Sequence, residues 1–117
     1  MRLELSHSKV DSITLVTLKG TIVAGEAVDL LVNKTQELLE AGETQIILDL
    51  AQVTFMDSTG ISGLVKISTV ATRKGGSMKL LHLTKRIYDV LQITRLSSVF
   101  GIYDDLQKAK ESFQTGP

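Results

Sequence analysis

Apolar positions change their period several times along the chain, and each change marks an element. Leu3 and Leu5 alternate with charged neighbours, and Ile13-Thr14-Leu15-Val16-Thr17-Leu18 is rich in β-branched residues. With Lys9-Val10-Asp11-Ser12 as a turn between them, these runs predict a hairpin. Gly20 interrupts before Thr21-Ile22-Val23, which either extends the second strand past a bulge or forms a short strand of its own. From Gly25 to about Ala41 the spacing becomes helical: Val28, Leu31, Val32, Leu38 and Leu39 form a stripe with Thr35 in its middle, and Asp29, Lys34, Glu37 and Glu40 lie outside it. Gly42 ends that amphipathic helix.

Ile46-Ile47-Leu48-Asp49-Leu50 is a short, almost unbroken apolar run of the kind that fills a buried sheet strand. Past Val53-Thr54-Phe55-Met56, the residues Ile61, Leu64, Val65, Ser68 and Ala71 recur at helical spacing, so a helix starts within a residue or two of Asp57 and runs to about Lys74, closed by Gly75-Gly76. Met78 to Leu83 reads as a strand. Thr84 caps a short helix with Ile87, Val90, Leu91 and Thr94 on its inner face, and Ser97-Ser98 breaks the chain. Val99 to Tyr103 is a last short strand, Asp104-Asp105 open a helix carrying Leu106, Ala109 and Phe113, and 114–117 make a frayed tail. Helices alternating with strands after an opening hairpin predict an α/β fold: one domain over 1–117 with its core at about 3–112, a mixed β-sheet, about four α-helices and right-handed crossovers.

Composition narrows the function. With 117 residues, 43% hydrophobic, one aliphatic core is expected, and 13 basic against 13 acidic side chains leave no field to draw in nucleic acid or an anionic membrane. Tryptophan is absent and aromatics are few, which removes the stacking platform that single-stranded nucleic acid needs. No cysteine means no disulfide, thiolate metal site or cysteine nucleophile. The opening Met1-Arg2-Leu3-Glu4-Leu5-Ser6-His7 lacks the apolar centre of a signal peptide, and no run is long enough for a membrane span, so a cytoplasmic protein is expected.

The chemistry converges on Asp57-Ser58-Thr59-Gly60, where a hydroxyl meets a helix N-terminus. The first N–H groups of a helix lack partners and the peptide dipoles leave about half a positive charge there, so anions are stabilised. Asp57 or Ser58 can simply cap the helix. Ser58 can also accept a phosphate, whose charge would face those N–H groups. A hydrolase serine would need a base and an orienting group. Only His7 and His82 exist, His7 near the end of the first strand and His82 inside an apolar one, and the Gly-x-Ser-x-Gly elbow is missing. Asp49, Asp57, Asp104 and Asp105 show no ligand spacing, so no metal, cofactor or catalytic residue is expected. Lys85-Arg86 and Arg73-Lys74 read as solvated charge. Ser62, Lys66, Thr69 and Arg73 share the outward face of the Ser58 helix with Val70 off the apolar stripe, a flat, weakly charged face suited to docking.

Taken with Leu18-Lys19-Gly20, Ile46 to Leu50 with Val53, Met56-Asp57-Ser58-Thr59-Gly60-Ile61, Gly76 before Leu80-Leu81, Val90 to Leu96 and Phe100, the chain resembles the STAS domains, and among them the small bacterial anti-sigma-factor antagonists, over about residues 10 to 112. The resemblance implies that Ser58 is phosphorylated by an anti-sigma factor acting as a serine kinase. It further implies that the unphosphorylated form sequesters that factor and that a phosphoserine phosphatase resets the switch. Asp57, Ser58, Thr59, Gly60, Ser62, Lys66 and Thr69 then form the partner-binding set. One departure stands out: many relatives carry an aspartate soon after the Gly20 equivalent, where this chain has Val23-Ala24-Gly25-Glu26. Two other expectations remain open, an unphosphorylated STAS subunit of a lipid-transport ATPase complex and an anion- or nucleotide-sensing module.

Overall fold

The computed structural model describes residues 2–93 and 100–114. Strand β1 (Glu4–Val10) pairs antiparallel with β2 (Ile13–Ile22) around an Asp11-Ser12 turn in which Asp11 takes φ 58°. Aspartate tolerates that left-handed conformation better than most residues. The following strands β3 (Gln45–Met56), β4 (Ser77–Leu81) and β5 (Gly101–Tyr103) add in parallel, giving the order β1-β2-β3-β4-β5. Helices α1 (Glu26–Glu40), α2 (Ser58–Arg73) and α3 (Lys85–Ile93) join the parallel strands, and α4 (Leu106–Gln114) follows β5. The expected α/β fold, with its opening hairpin and mixed sheet, is what forms.

Two apolar layers follow from the period of the strands, whose successive side chains point to opposite faces. Val16, Leu18, Ile46, Leu48 and Leu80 share one cluster with Leu31 of α1, Leu64 and Ile67 of α2, and Ile87 and Leu91 of α3. Their neighbours Ile13, Ile47 and Leu81 face the other way, against Ala109 of α4, with Leu106 and Phe113 packed alongside. Central strands covered on both faces have no need to alternate, which is why Ile46 to Leu50 reads as a continuous apolar run. Side-chain caps start the last two helices: Thr84 Oγ1 accepts the Ile87 amide at 3.3 Å, and Asp105 Oδ1 accepts the Gln107 amide at 2.8 Å. Asp104 and Asp105 therefore precede α4 rather than forming its first turn.

Several boundaries depart from the sequence reading. β3 continues beyond Leu50 to Met56 because β2 continues too, and the pair runs on through Lys19↔Gln52, Gly20↔Val53, Thr21↔Phe55 and Ile22↔Met56. Gly20 makes this possible. Its φ is 118° within an irregular register, and a Cβ there would lie 2.5 Å from the Arg2 carbonyl oxygen, so only glycine fits. β4 stops at Leu81, which leaves His82 outside the strand, exposed and at φ 57°. His7 sits mid-strand opposite Val16 rather than near a turn, with its side chain in solvent. The last strand begins at Gly101, with buried Phe100 before it, and Gln114, expected in the tail, ends α4; the expectations for Thr94, Ser97-Ser98, Val99 and the rest of the tail at 115–117 lie outside the described residues.

The buried stripe of α1 is the expected one except that Val28 at its start is half-buried, and Thr35 within it is 1% exposed with its hydroxyl unpaired among the described residues. A buried hydroxyl without a partner loses its hydration and regains nothing. Thr35→Val keeps the shape and the β-branch while removing that loss, and is expected to raise stability by about 1 kcal/mol in urea unfolding. A drop in stability would mean that the hydroxyl is satisfied after all.

Candidate functional site

The parallel pairing of β2 and β3 sets the ends of both strands side by side, and the turn that leaves β3 is built on that contact. Met56 is buried, Asp57 is extended at φ −92° and ψ −178°, and its amide donates to the Ile22 carbonyl at 3.3 Å. Asp57 is the N-cap of α2, and its carboxylate does two things. Oδ1 accepts the Gly60 amide at 2.8 Å, inside the helix's first turn, and Oδ2 accepts the Ala24 amide at 2.9 Å, in the loop between β2 and α1. Gly60 is buried where a Cβ would fall 2.3 Å from the Ile22 carbonyl oxygen, so the helix start can approach β2 this closely only with glycine at that position.

The amides of Ala24 and then Gly60, with a smaller share from Thr59, hold the Asp57 carboxyl below its ordinary 3.8. Hydrogen bonds to the charged form have that effect. A depressed carboxylate stabilises the fold fully above its unfolded value, and the contribution is lost as pH falls through the lower folded value. Asp57→Asn is therefore expected to lower the urea midpoint at neutral pH, with the gap to wild type closing as the pH drops below 3.8. A gap that stays constant on acidification would show that the charge on Asp57 contributes nothing.

Ser58 is the first residue of α2 and is exposed. Thr59, Ser62, Lys66, Thr69 and Arg73 are exposed along the same helix, so the structure brings the sequence-derived set onto one continuous face. Asp57 is half-buried and Gly60 buried, and these two shape the turn from beneath. Val70 differs from expectation: it is half-buried and packs against the core, so the outward face is polar throughout at that point. Thr69 Oγ1 donates to the Val65 carbonyl at 2.9 Å. The large apolar side chain that does reach solvent near the turn is Phe55, which is 43% exposed near the end of β3. Strand alternation at Phe55-Met56 was the available signal, since Met56 takes the core side. The Ala24 contact had no signal, because its donor is backbone.

The other candidate chemistry lies elsewhere. His82 Nδ1 is 3.3 Å from Asp49 Oδ1, which also accepts the Ala51 amide at 3.0 Å, and the His82 amide donates to the Tyr103 carbonyl at 2.9 Å. Asp49, whose spacing gave it no ligand role, thus pairs with a histidine from the end of the neighbouring strand. Among the described residues no group of three or more His, Cys, Asp or Glu is placed to hold a metal ion, and no helix is long and apolar enough to cross a membrane. Lys85 and Arg86 are exposed as expected, with Lys85 paired to Asp89 at 2.9 Å.

Residues 5–109 match the STAS domain family. The anti-sigma-B factor antagonist of Bacillus subtilis is 32% identical over 84 residues, covering 68% of this chain and 76% of the relative. Among solved structures, a candidate anti-sigma factor antagonist from Thermotoga maritima superposes with a TM-score of 0.87 at 24% identity, over 94% of each chain. The Bacillus cell fate determinant SpoIIAA, solved in its phosphorylated form, superposes with a TM-score of 0.72 at 20% identity, over 92% of this chain and 97% of that one.

Proposed function

Because the chain belongs to the STAS domain family and is related to anti-sigma factor antagonists, we propose that it is itself such an antagonist, switched at Ser58. Unphosphorylated, it binds and sequesters an anti-sigma factor that is also a serine kinase, which frees a sigma factor for transcription. Phosphorylation of Ser58 releases it, and a phosphatase restores the binding form. In the forward step the Ser58 oxygen bonds to the γ-phosphorus of ATP held by the kinase, the bond to ADP breaks, and the hydroxyl proton passes to a base on the kinase. This chain supplies the acceptor and its presentation, and the partner supplies catalysis.

The observation that carries this reading is the exposed Ser58 hydroxyl at the head of a helix whose first turn is fixed from below by Asp57 and Gly60. A fixed turn holds the main chain of Ser58 in one geometry, which lowers the ordering cost that a docking partner has to meet. Thr59, Ser62, Lys66 and Thr69 supply the face around it. A phosphate here lies at the favourable end of the α2 dipole, so the fold survives modification and the change is felt by whatever docks against it.

Capture on wild-type, Ser58→Ala and Ser58→Glu baits, read by mass spectrometry, tests the proposal. Retention of one kinase-type partner by the first two baits and its loss from the third is the expected pattern. Equal recovery from all three would reject it, and co-purification with a membrane ATPase in every case would favour a scaffold instead.

A further inference from the structure

The Asp57 carboxylate is shared between two segments that are far apart in the chain, and Ser58 is its immediate neighbour. Its Oδ1 holds the Gly60 amide of α2 and its Oδ2 holds the Ala24 amide of the loop entering α1. On its α1 side the second segment is held by main chain, the Val23 and Gly25 carbonyls accepting the Val28 and Asp29 amides at 3.3 and 3.0 Å. Gly25 occupies the N-cap position of α1 at φ 102° with no side-chain cap, and both Ala24 and Gly25 are exposed. Ile22, where this loop leaves β2, is by contrast fully buried and accepts the Asp57 amide. The loop at residues 23–25 therefore runs from a rigid strand end into α1, and the Asp57 Oδ2 bond to the Ala24 amide ties it across to the start of α2.

We propose that Asp57 is a positioning residue that clasps the loop at residues 23–25 to the start of α2, and that a phosphate on Ser58 opens the clasp. This rests on Ser58 being the modified residue. A phosphoserine at the first helical position brings about two negative charges beside a carboxylate that already uses the first-turn amides. The two anions repel one another and draw on the same donors, and the phosphate has more charge and more acceptor oxygens. As the carboxylate gives way at Gly60, its other oxygen loses its alignment with the Ala24 amide. Modification of one hydroxyl then alters two exposed segments, the head of α2 and the uncharged Val23-Ala24-Gly25 loop, so a partner that spans both loses its fit in two places at once.

Amide hydrogen exchange of the full chain tests this at one atom. Ser58→Glu is expected to speed exchange at the Ala24 amide by about tenfold, the equivalent of one net hydrogen bond. Ser58→Gln, of the same size without the charge, should leave it within about twofold of wild type. Asp57→Asn should release Ala24 as Ser58→Glu does, while the amides of Leu48 and Leu80 in the buried strands keep their protection. Equal Ala24 exchange in Ser58→Glu and Ser58→Gln would overturn the coupling, as would an Asp57→Asn variant that loses Leu48 and Leu80 protection together with Ala24. Partner capture on the same variants separates this from the functional reading. Loss of the partner by Ser58→Glu with Ala24 still protected keeps the switch and sinks the clasp, whereas release of Ala24 with the partner still bound does the reverse.

Discussion

Titrated against the partner captured on the wild-type bait, Ser58→Ala should bind as tightly as the unmodified wild type, and Ser58→Glu should bind about a thousandfold more weakly, with the chain still folded. The magnitude comes from comparing two effects. At the N-terminus of α2 an anion gains a few tenths to about 2 kcal/mol from the dipole and the first-turn amides. In the interface the same anion has to be stripped of water, and a buried charge without a partner costs several kcal/mol. A net penalty of about 4 kcal/mol is roughly a thousandfold in affinity, since each 1.4 kcal/mol is tenfold. The larger effect falls on binding, so any fall in the urea midpoint of Ser58→Glu should be no greater than that of Asp57→Asn, while its affinity falls much further. Equal affinities for alanine and glutamate would reject an electrostatic switch at this position.

Gly60→Ala is expected to destabilise the fold by about 2–3 kcal/mol, although alanine favours helix over glycine by up to about 1 kcal/mol. The added Cβ would stand 2.3 Å from the Ile22 carbonyl oxygen and 2.8 Å from Met56 Cγ. The methionine can move aside. The carbonyl is main chain at the end of a fully buried strand residue and already accepts the Asp57 amide, so the helix start has to shift instead. Gly63→Ala in the same helix is the control, because its Cβ would meet only the side-chain atoms Val28 Cγ1 at 3.3 Å and Val32 Cγ2 at 3.5 Å. That variant should stay within about 1 kcal/mol of wild type. Both substitutions carry a helix-propensity gain, so the difference between them measures the close approach of α2 to β2. Because that approach also sets the Ser58 geometry, Gly60→Ala should weaken partner binding as well. Matching stabilities for the two variants would contradict this account of the turn.

What was legible in the sequence was whatever local periodicity and end-capping decide. The stripe at Leu31, Val32, Thr35, Leu38 and Leu39, the start of α2 at Ser58 and the cap at Thr84 depend on spacing and residue type, and they sit where those signals place them. The strand ends were harder, because partners set them. β3 runs to Met56 only because β2 continues past Gly20 beside it, and nothing in Ala51-Gln52 announces a strand. His82 and Val70 were misplaced for the same reason: a residue at the end of a strand or the side of a helix takes its burial from what packs there. At the site itself the exposed row from Ser58 to Thr69 was visible as helix-face periodicity. The tether from Asp57 to Ala24 was not, since it joins a carboxylate to a main-chain amide 33 residues away.

The central claim is that Ser58 is the hydroxyl this fold presents for modification, and phosphopeptide mapping after incubation with the captured kinase and ATP tests it most directly. The account predicts one phosphate, on Ser58, and none on the Ser58→Ala chain. Phosphate on Thr59 or Ser62, or undiminished incorporation into Ser58→Ala, would contradict it.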